Sequence, residues 1–468
     1  MASFDVNNHE SLGVSSKVPS FSKFQNTLKS QDIVLNRRHV TTPSDQSTYI
    51  QNQELRFELS SDSSYILPDT SSLNFNIKTS DATSCLSDFP ATCWVKDLRI
   101  LLNGKTVEHI TDVNQLCYAQ ASQIMSLNDA KSDYYNMCGS YKWNLGYESS
   151  AKEDVEPDVD FPDLAAATSG VKNVVELLNL FRQDEYGVDQ RIAEAKNAHF
   201  NGLNLTLPLS LISGFCRSRR MFPLPNAKVE IVIRLATNNE AMIQFAEDSG
   251  HTYTISNVEL GIDMVDVAPE YQRLIQAEVG GEEGFYYPIN TYEVVVDNTN
   301  VPNSVSQQTY QYTSSAKRVK SMILWRKTAD DVKNIGDSIA SLPCGITEQQ
   351  LIIGSRRYPE SRPFRNPEEM FAHTKRAIGD FGQVTANLGW SSPETYKAED
   401  KHSTFAVIYN FEKIQDDGLE LDTLSLSNSG AKFQIKNTEN ALNKTVYQYC
   451  GLEVVLPIKF ARRLLVVE

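Results

Sequence analysis

The chain has 468 residues, of which 41% are hydrophobic and 22% charged, and its formal net charge is −15. This length is too great for one core and suits two domains of roughly 200 residues each, while the hydrophobic content excludes a chain that is disordered throughout. The acidic balance argues against a surface that wraps nucleic acid, because phosphate binding needs clustered Lys and Arg, and no sequence-specific nucleic-acid binding is expected.

The first 48 residues are polar, rich in Ser, Asn and Gln, and without a clear hydrophobic period. We interpret residues 1–48 as an N-terminal arm outside any core. From Gln51 the pattern becomes that of β-strands, since Leu55, Phe57 and Leu59 alternate with polar residues. This alternation is typical of a strand with one buried face.

Residues 98–110 (LRILLNGKTVEHI) predict a β-hairpin, because Asn103-Gly104 between two β-like runs supplies the positive φ angles that a tight turn needs. A helix is predicted over residues 112–127. A long loop, residues 128–170, follows and contains the acidic run of residues 153–163. Connections of this length inside a compact domain are usually functional or mobile. Residues 171–183 then show the apolar stripe of an amphipathic helix.

Residues 203–235 predict a strand, a proline stop, an apolar turn ending at Gly214-Phe215, a basic loop and a second strand. A similar passage closes the chain at residues 451–468. We interpret the two passages as the ends of two domains with one β-fold, at residues 49–245 and 246–468.

The second half begins with a strand near Thr252 and a short helix at Pro269. A second helix is framed by Asn366 as N-cap, Pro367 in the first turn and Gly379 after its end. Further strands are predicted at 285–296, 320–326, 347–353, 403–413, 431–436 and 445–458. Many short strands with few inserted helices predict an all-β fold of two sandwiches.

The sequence does not predict an enzyme. Residues 336–339 (GDSI), with Asp400 and His402, resemble parts of a serine esterase, but that chemistry needs a strand-to-helix elbow in an α/β fold. The acidic run of residues 153–163 lacks the glycine turn and terminal Glu of an EF-hand loop. No catalytic, cofactor-binding or metal-binding residue is therefore predicted.

The seven cysteines are scattered and odd in number, which favours reduced thiols, although Cys85 and Cys93 flank a turn and could pair. The sequence lacks an N-terminal apolar run and a stretch long enough to span a bilayer, so neither secretion nor membrane insertion is indicated.

Two groups of arginines lie in loops beside prolines, and we expect them to pair with acidic loops of a neighbouring subunit. They are Arg217, Arg219 and Arg220, and Arg356, Arg357, Arg362 and Arg365.

Four passages together resemble double jelly-roll major capsid proteins of the lineage of virophages, Polinton-like viruses and the adenovirus hexon. They are LPLSLISGF…PLPNAKVEIVIRL within residues 203–235, residues 349–379, residues 67–78 and residues 94–116. The resemblance covers most of residues 50–468 and places the chain nearest the Polinton-like viruses or virophages. It implies two tandem eight-stranded jelly rolls with a few inserted helices.

By this resemblance, the chain is expected to form a homotrimer whose six sandwiches make a pseudo-hexagonal capsomer of an icosahedral double-stranded DNA virus shell. Expected partners are other copies of the chain, neighbouring capsomers, and penton and minor or cement capsid proteins. The expected location is the virion, after synthesis and assembly inside the host cell. The loop of residues 128–170 suits the outer end of the capsomer, and the arm suits the inner end.

Two other functions stay open on the same architecture. Tandem jelly rolls occur in secreted glycan-releasing amidases, which use carboxylates between their domains. A spike module that binds sugars or a receptor would expose aromatic side chains at one end of the molecule. A candidate set is Tyr134, Tyr135, Tyr141, Trp143 and Tyr147, which could equally hold the long loop against a neighbouring subunit.

Overall fold

The computed structural model describes residues 34–80, 85–87, 91–124, 200–243, 250–280, 285–301, 307–328, 341–378, 396, 403–411, 424–426, 432–439, 444–461 and 464–467. Strands dominate this part of the chain, as the alternating sequence predicts. The predictions for residues 128–170 and 171–183, the esterase-like residues 336–339 and the aromatic set at 134–147 lie outside it.

The strands of the first half, in chain order, are β1 Val34–Pro43, β2 Thr48–Tyr49, β3 Glu54–Leu59, β4 Ser64–Thr79, β5 Cys85–Leu86, β6 Val95–Leu102, β7 Lys105–Ile110, β8 Leu203–Pro208, β9 Phe222–Pro223, β10 Val229–Leu235, β11 Met242–Ile243 and β12 Tyr253–Val267. Those of the second half are β13 Phe285–Val301, β14 Gln307–Thr313, β15 Val319–Thr328, β16 Ile346–Ile353, β17 Arg356–Tyr358, β18 Val407–Asn410, β19 Lys432–Glu439, β20 Lys444–Ala461 and β21 Leu464–Val467. The helices are α1 Val113–Ile124, α2 Asn238–Ala241, α3 Pro269–Gly280 and α4 Pro367–Ala377, with a 3-10 turn at Leu209–Leu211.

The main strands form two sandwiches of eight strands each. In the first sandwich, one sheet has the order β1-β12-β4-β8 and the other β3-β10-β6-β7. In the second, the orders are β13-β20-β15-β18 and β14-β19-β16-β17. When the eight main strands of each sandwich are numbered in chain order, both sandwiches have one sheet with the order first–eighth–third–sixth and one with the order second–seventh–fourth–fifth. This repeated order is that of the jelly roll, so the predicted double jelly roll is confirmed.

Local sequence explains the best-predicted elements. Asn103 (φ 50°) and Gly104 (φ 77°) form the two-residue turn between β6 and β7, which confirms the predicted hairpin. The side chain of Asn366 accepts a hydrogen bond of 2.8 Å from the backbone N–H of Glu369, so the predicted N-cap of α4 is confirmed as well.

A buried ion pair ties together the two sheets of the second sandwich. Arg326 on β15 and Glu439 on β19 are in direct contact, and their side chains are 1% and 0% exposed. The Tyr310 hydroxyl lies 3.0 Å from the Arg326 guanidinium, which also donates to the Pro343 carbonyl at 2.9 Å. These bonds offset part of the cost of burying the two charges inside a core.

Strand pairing corrects the predicted domain boundaries of residues 1–48, 49–245 and 246–468. Strand β1 lies within the predicted arm but pairs with β12 along its length. Its sequence hides this role because Arg37, Arg38 and consecutive neighbours are exposed at the sheet edge, so no alternation appears. Strand β12, predicted to start the second domain, pairs with β1 and β4 and completes the first sandwich.

The two similar passages are not equivalent in the fold. Residues 203–235 contain β8 and β10, which are the sixth and seventh strands of the first sandwich. Residues 451–468 belong instead to β20, which is the eighth strand of the second sandwich, and to β21. The counterpart of β20 in the first sandwich is β12. The inference of one fold used twice is therefore correct, but the alignment that suggested it is wrong.

Other elements differ in detail from the predictions. Strand β18 is shorter than the predicted 403–413, and β14 and β17 were not predicted, whereas β21 is the strand predicted at the end of residues 451–468. Cys93 is a buried reduced thiol, so the alternative pairing with Cys85 is wrong. Among the described helices, none has the length and apolar character needed to cross a bilayer.

Candidate functional site

The two sandwiches meet along one sheet of the second sandwich, and we call this contact the seam. In strand β15, Met322 and Leu324 pack into the core of the second sandwich. Ile323 and Trp325, which point the opposite way, pack into the hydrophobic cluster that contains the core of the first sandwich. The sheet β13-β20-β15-β18 is therefore buried on both faces, which is uncommon for an antiparallel sheet.

Helix α1 of the first sandwich covers the middle of this sheet. Its Leu116 lies over Gly451 of β20, where an added Cβ would come within 3.0 Å of the leucine side chain. The Trp325 and Tyr449 rings stack beside Gly451 with centroids 5.2 Å apart. Both rings are buried, and their size makes them a large share of the apolar area removed from water at the seam.

A loop of the first sandwich approaches strand β13 even more closely. A Cβ added to Gly214 would lie 1.6 Å from the Asn290 carbonyl oxygen, so only glycine fits at this contact. The buried Glu108 carboxylate on β7 holds the loop in place. It accepts hydrogen bonds from Ser213 Oγ at 2.5 Å, from the Gly214 N–H at 2.7 Å and from the Phe215 N–H at 3.3 Å.

Glu108 is fully enclosed, and burial raises the pKa of its carboxyl group even though the hydrogen bonds from Ser213 and from the loop backbone lower it. Desolvation disfavours the charged form more than these donors favour it. Glu108 therefore has a structural role at the seam, and its contribution to stability depends on pH.

Aromatic side chains close one end of the seam. Phe222 of the first sandwich contacts Tyr287 and Phe460 of the second, with ring centroids 5.3 and 5.8 Å apart. The Tyr287 hydroxyl donates a hydrogen bond of 2.8 Å to the Arg220 carbonyl. At the other end, the Lys375 ammonium on α4 donates to the Gln123 carbonyl on α1 at 2.6 Å. The two sandwiches are thus fixed to each other at both ends.

The first predicted arginine group lies at the seam. Arg217 donates to the Ser210 carbonyl at 3.2 Å, and its guanidinium carbon lies 5.8 Å from the centroid of the Tyr292 ring on β13. This arginine therefore contacts the second sandwich of its own chain. Arg219 and Arg220 have exposed side chains, and their pairing with a neighbouring subunit stays a prediction.

The second arginine group lies on β17 and in the segment that leads to α4. Arg362 forms two hydrogen bonds of 2.9 and 2.8 Å with the Glu369 carboxylate, and they lower the pKa of Glu369 to about 2. Arg362 thus already has an acidic partner within the chain. Arg356, Arg357 and Arg365 are exposed, and their pairing with a neighbour is likewise untested.

Sequence reasoning located the turn at Gly214 but missed Glu108 and Trp325. Residues 322–325 (MILW) gave the available signal, an unbroken apolar run within a strand. Such runs indicate strands buried on both faces. In the described part of the chain, no three His, Cys, Asp or Glu side chains are grouped so that they could hold a metal ion. The seam is a packing site and shows no reactive arrangement.

No protein-family model and no curated protein sequence matches the chain. Its structure is similar to PBCV-1 VP54 fitted into a cryo-EM reconstruction of the virophage Sputnik, with a TM-score of 0.55 and 10% identity over 96% of this chain and 99% of that one. It is similar to the Faustovirus major capsid protein, with a TM-score of 0.54 and 9% identity over 97% and 96% of the two chains. A chain of the Sputnik virophage structure gives a TM-score of 0.51 and 10% identity over 96% and 91%. These likenesses show a shared fold along almost the whole chain.

Proposed function

We propose that the chain is a major capsid protein that forms a homotrimer, in which six jelly rolls make a pseudo-hexagonal block of an icosahedral double-stranded DNA virus shell. The observation that carries the proposal is the double jelly roll, which the chain shares with the Faustovirus major capsid protein along 97% of its length. A structural role also fits a seam that joins two sandwiches through buried apolar contacts.

The chain's path supports a direction for this block. Strand β1 begins where Val34 pairs with Val267, at one end of the first sandwich. The segment between α1 and β8 returns at the opposite end, where Leu203 pairs with Ile77. We assign this second end, with the acidic residues 128–170 in its connection, to the outside of the shell. The polar residues before β1 then lie on the inside and contact neighbouring capsomers.

The proposed partners are other copies of the chain, neighbouring capsomers, and penton and minor or cement proteins. The proposed location is the shell of the virion, with synthesis and assembly inside the host cell. Sequence-specific nucleic-acid binding forms no part of the proposal, because the chain carries a net charge of −15.

Native mass and negative-stain images of the purified full chain test the proposal. We expect a particle of three chains of 52.5 kDa each, seen as a triangular or hexagonal block with a central threefold axis. A stable 52.5 kDa monomer that builds no larger particle at high concentration would contradict it.

A further inference from the structure

A cleft lies beside the seam, between the two sandwiches. His109 on β7 lines it from the first sandwich. The second sandwich contributes residues 291–293 of β13, residues 315–318 between β14 and β15, and residues 454–457 of β20. The cleft is partly open to solvent and has a volume of about 450 Å³. This volume lies in the size range of ligand-binding pockets.

An interruption in the pairing of β20 forms one wall of the cleft. Along one edge of β20, β15 pairs as far as Val454 and β21 begins at Ile458. Among the described strands, none pairs with Leu456 or Pro457 on that edge. Proline tolerates this position because it has no N–H to give to a neighbouring strand. The interruption leaves an apolar wall of Val454, Leu456 and Pro457 along the cleft.

The loop of residues 315–318 forms the opposite wall and is held by its backbone. The Ala316 carbonyl accepts a hydrogen bond of 3.0 Å from the Leu426 N–H, and the Arg318 carbonyl accepts one of 2.9 Å from the Val455 N–H. The cleft is thus formed without a ligand. A preformed site loses little conformational freedom when a ligand binds.

The cleft has more cationic than anionic groups, although the chain has a net charge of −15. Lys317 is exposed and Arg318 half-buried, and in the described part of the chain neither side chain, nor that of His109, has an ion-pair or hydrogen-bond partner. Among the described lining residues the one carboxylate is Glu293, which accepts a hydrogen bond of 2.9 Å from Ser314 Oγ.

We propose that the cleft binds an acidic segment of another protein, in which carboxylate side chains alternate with apolar ones. Lys317 and Arg318 pair with the carboxylates, and the wall of Val454, Leu456 and Pro457 packs against the apolar side chains. An inorganic anion would use the cations but gain nothing from the apolar wall. A nucleic-acid strand would need a longer basic track with stacking platforms.

This inference gives the capsid a class of partner that the fold alone does not supply. In the proposed shell the acidic segment belongs to a minor or cement protein, and this identity rests on the proposed function. The binding itself needs one chain, because every described residue that lines the cleft belongs to the same chain. Binding and assembly can therefore be measured separately.

A fluorescent six-residue peptide of alternating Glu and Leu is the probe, and its anisotropy on titration with the full chain measures binding. We expect saturable binding that the double variant Lys317→Ala/Arg318→Ala weakens by about 10-fold or more, since charge-assisted hydrogen bonds are the strong ones. The matched control, Arg56→Ala/Arg273→Ala, removes the same charge at two exposed arginines outside the cleft and leaves binding unchanged. Circular dichroism checks that the variants fold, and Lys317→Glu, at an exposed side chain, replaces the double variant if that does not.

Two further peptides separate the charged from the apolar contribution. A peptide of alternating Gln and Leu is expected not to bind, and one of alternating Glu and Gly to bind about 10-fold more weakly or less, because it lacks the apolar side chains. The inference is overturned if the Glu-Leu peptide does not bind, if the control variant weakens binding equally, or if the Glu-Gly peptide binds as tightly. It is also overturned if inorganic phosphate or a single-stranded DNA 12-mer displaces the peptide at lower concentration than unlabelled peptide does.

Native mass of the same samples separates this inference from the proposed function. A trimer that fails to bind the peptide overturns the inference and leaves the proposed function standing. A stable monomer that binds the peptide overturns the proposed function and the identity of the partner, and supports the cleft as an acidic-peptide site.

Discussion

The sheets β1-β12-β4-β8 and β13-β20-β15-β18 have the same strand order, yet the first is buried on one face and the second on both. Their inner faces are similarly apolar, with Leu73 and Phe75 in one and Met322 and Leu324 in the other. The two sheets thus share their strand order and the apolar character of their inner faces. The outer faces differ, because Asn74, Glu259, Thr41 and His39 are exposed on the outer face of the first sheet, which we call the open face.

The largest expected effect separates the two outer faces at matched positions. Trp325→Ala removes a fully buried ring from the seam and should lower the free energy of unfolding by about 3–5 kcal/mol. Asn74→Ala, at the same register position on the open face, should change it by about 0.5 kcal/mol or less. Guanidinium titrations of both variants measure the difference, and similar losses would show that the two faces are energetically alike.

Glu108→Ala should have the next largest effect. It leaves the Ser213 hydroxyl and the Gly214 and Phe215 N–H groups buried without their acceptor. We expect a loss of about 3 kcal/mol, since each orphaned donor costs about 1–3 kcal/mol and the loop can relax in part. The control Glu58→Ala removes an exposed partner of Lys228 and should cost under about 1 kcal/mol. Calorimetry that finds equal losses would contradict the role of Glu108.

Gly214→Ala tests whether the seam depends on close backbone approach. The new Cβ would overlap the Asn290 carbonyl, and we expect a loss of about 2 kcal/mol or more from overpacking. Gly104→Ala is the matched control, because Gly104 has a positive φ of 77° but no atom within 4 Å of its added Cβ. Backbone strain alone should cost it about 1 kcal/mol. Urea titrations that rank the control as the worse variant would refute the close approach.

Inner faces and turns were predictable from sequence because their signals are local. Leu55, Phe57 and Leu59 alternate as the buried face of β3 requires, and Asn103-Gly104 specifies its own turn. Strand β1 gave no such signal, since exposure along an edge removes the alternation on which detection depends. Both errors in the domain boundaries concern this one sheet, because β1 was assigned to the arm and its partner β12 to the second domain.

The seam was harder to predict because it joins residues that are distant in sequence. Nothing near Gly214 indicates that Asn290 lies against it, and Glu108 reads as an ordinary polar residue in a hairpin strand. The apolar run of residues 322–325 carries a trace of the second buried face. Contacts between domains leave weak sequence signals when each side contributes a few residues from several elements.

The pH dependence of stability should distinguish the seam from the open face. Because burial raises the pKa of Glu108 above its ordinary value of 4.5, the folded chain holds this proton more tightly than the unfolded chain. Its contribution is fully present below about pH 4.5 and is lost as pH rises through the raised pKa. The stability of the wild type relative to Glu108→Gln should therefore fall with rising pH in that window. A constant difference across denaturation curves from pH 4 to 8 would contradict the assignment.

Asp263 on the open face should show the opposite sign. Partial burial raises its pKa, but the hydrogen bonds from His39 and Arg37 outweigh this and lower the pKa below 3.8. Its contribution is therefore present above about pH 4 and is lost as pH falls through the lowered pKa. Asp263→Asn should remove this loss of stability at acidic pH. The pH dependence that Glu108 contributes should stay unchanged. Acid titrations of the single and double variants test whether the two faces respond independently.

The smallest expected effect concerns the ion pair that Arg37 forms with Asp263 at 2.6 Å on the open face. The Arg37 side chain is 57% exposed, so Arg37→Ala should cost under about 1 kcal/mol, and the cost should disappear in 1 M salt, where charges are screened beyond about 3 Å. Arg326→Ala, which leaves Glu439 buried without its partner, should cost about 3–5 kcal/mol at low and high salt alike. If the loss for Arg37→Ala persisted in 1 M salt while the chain was trimeric and vanished in the monomer, a second copy would be excluding solvent from the open face.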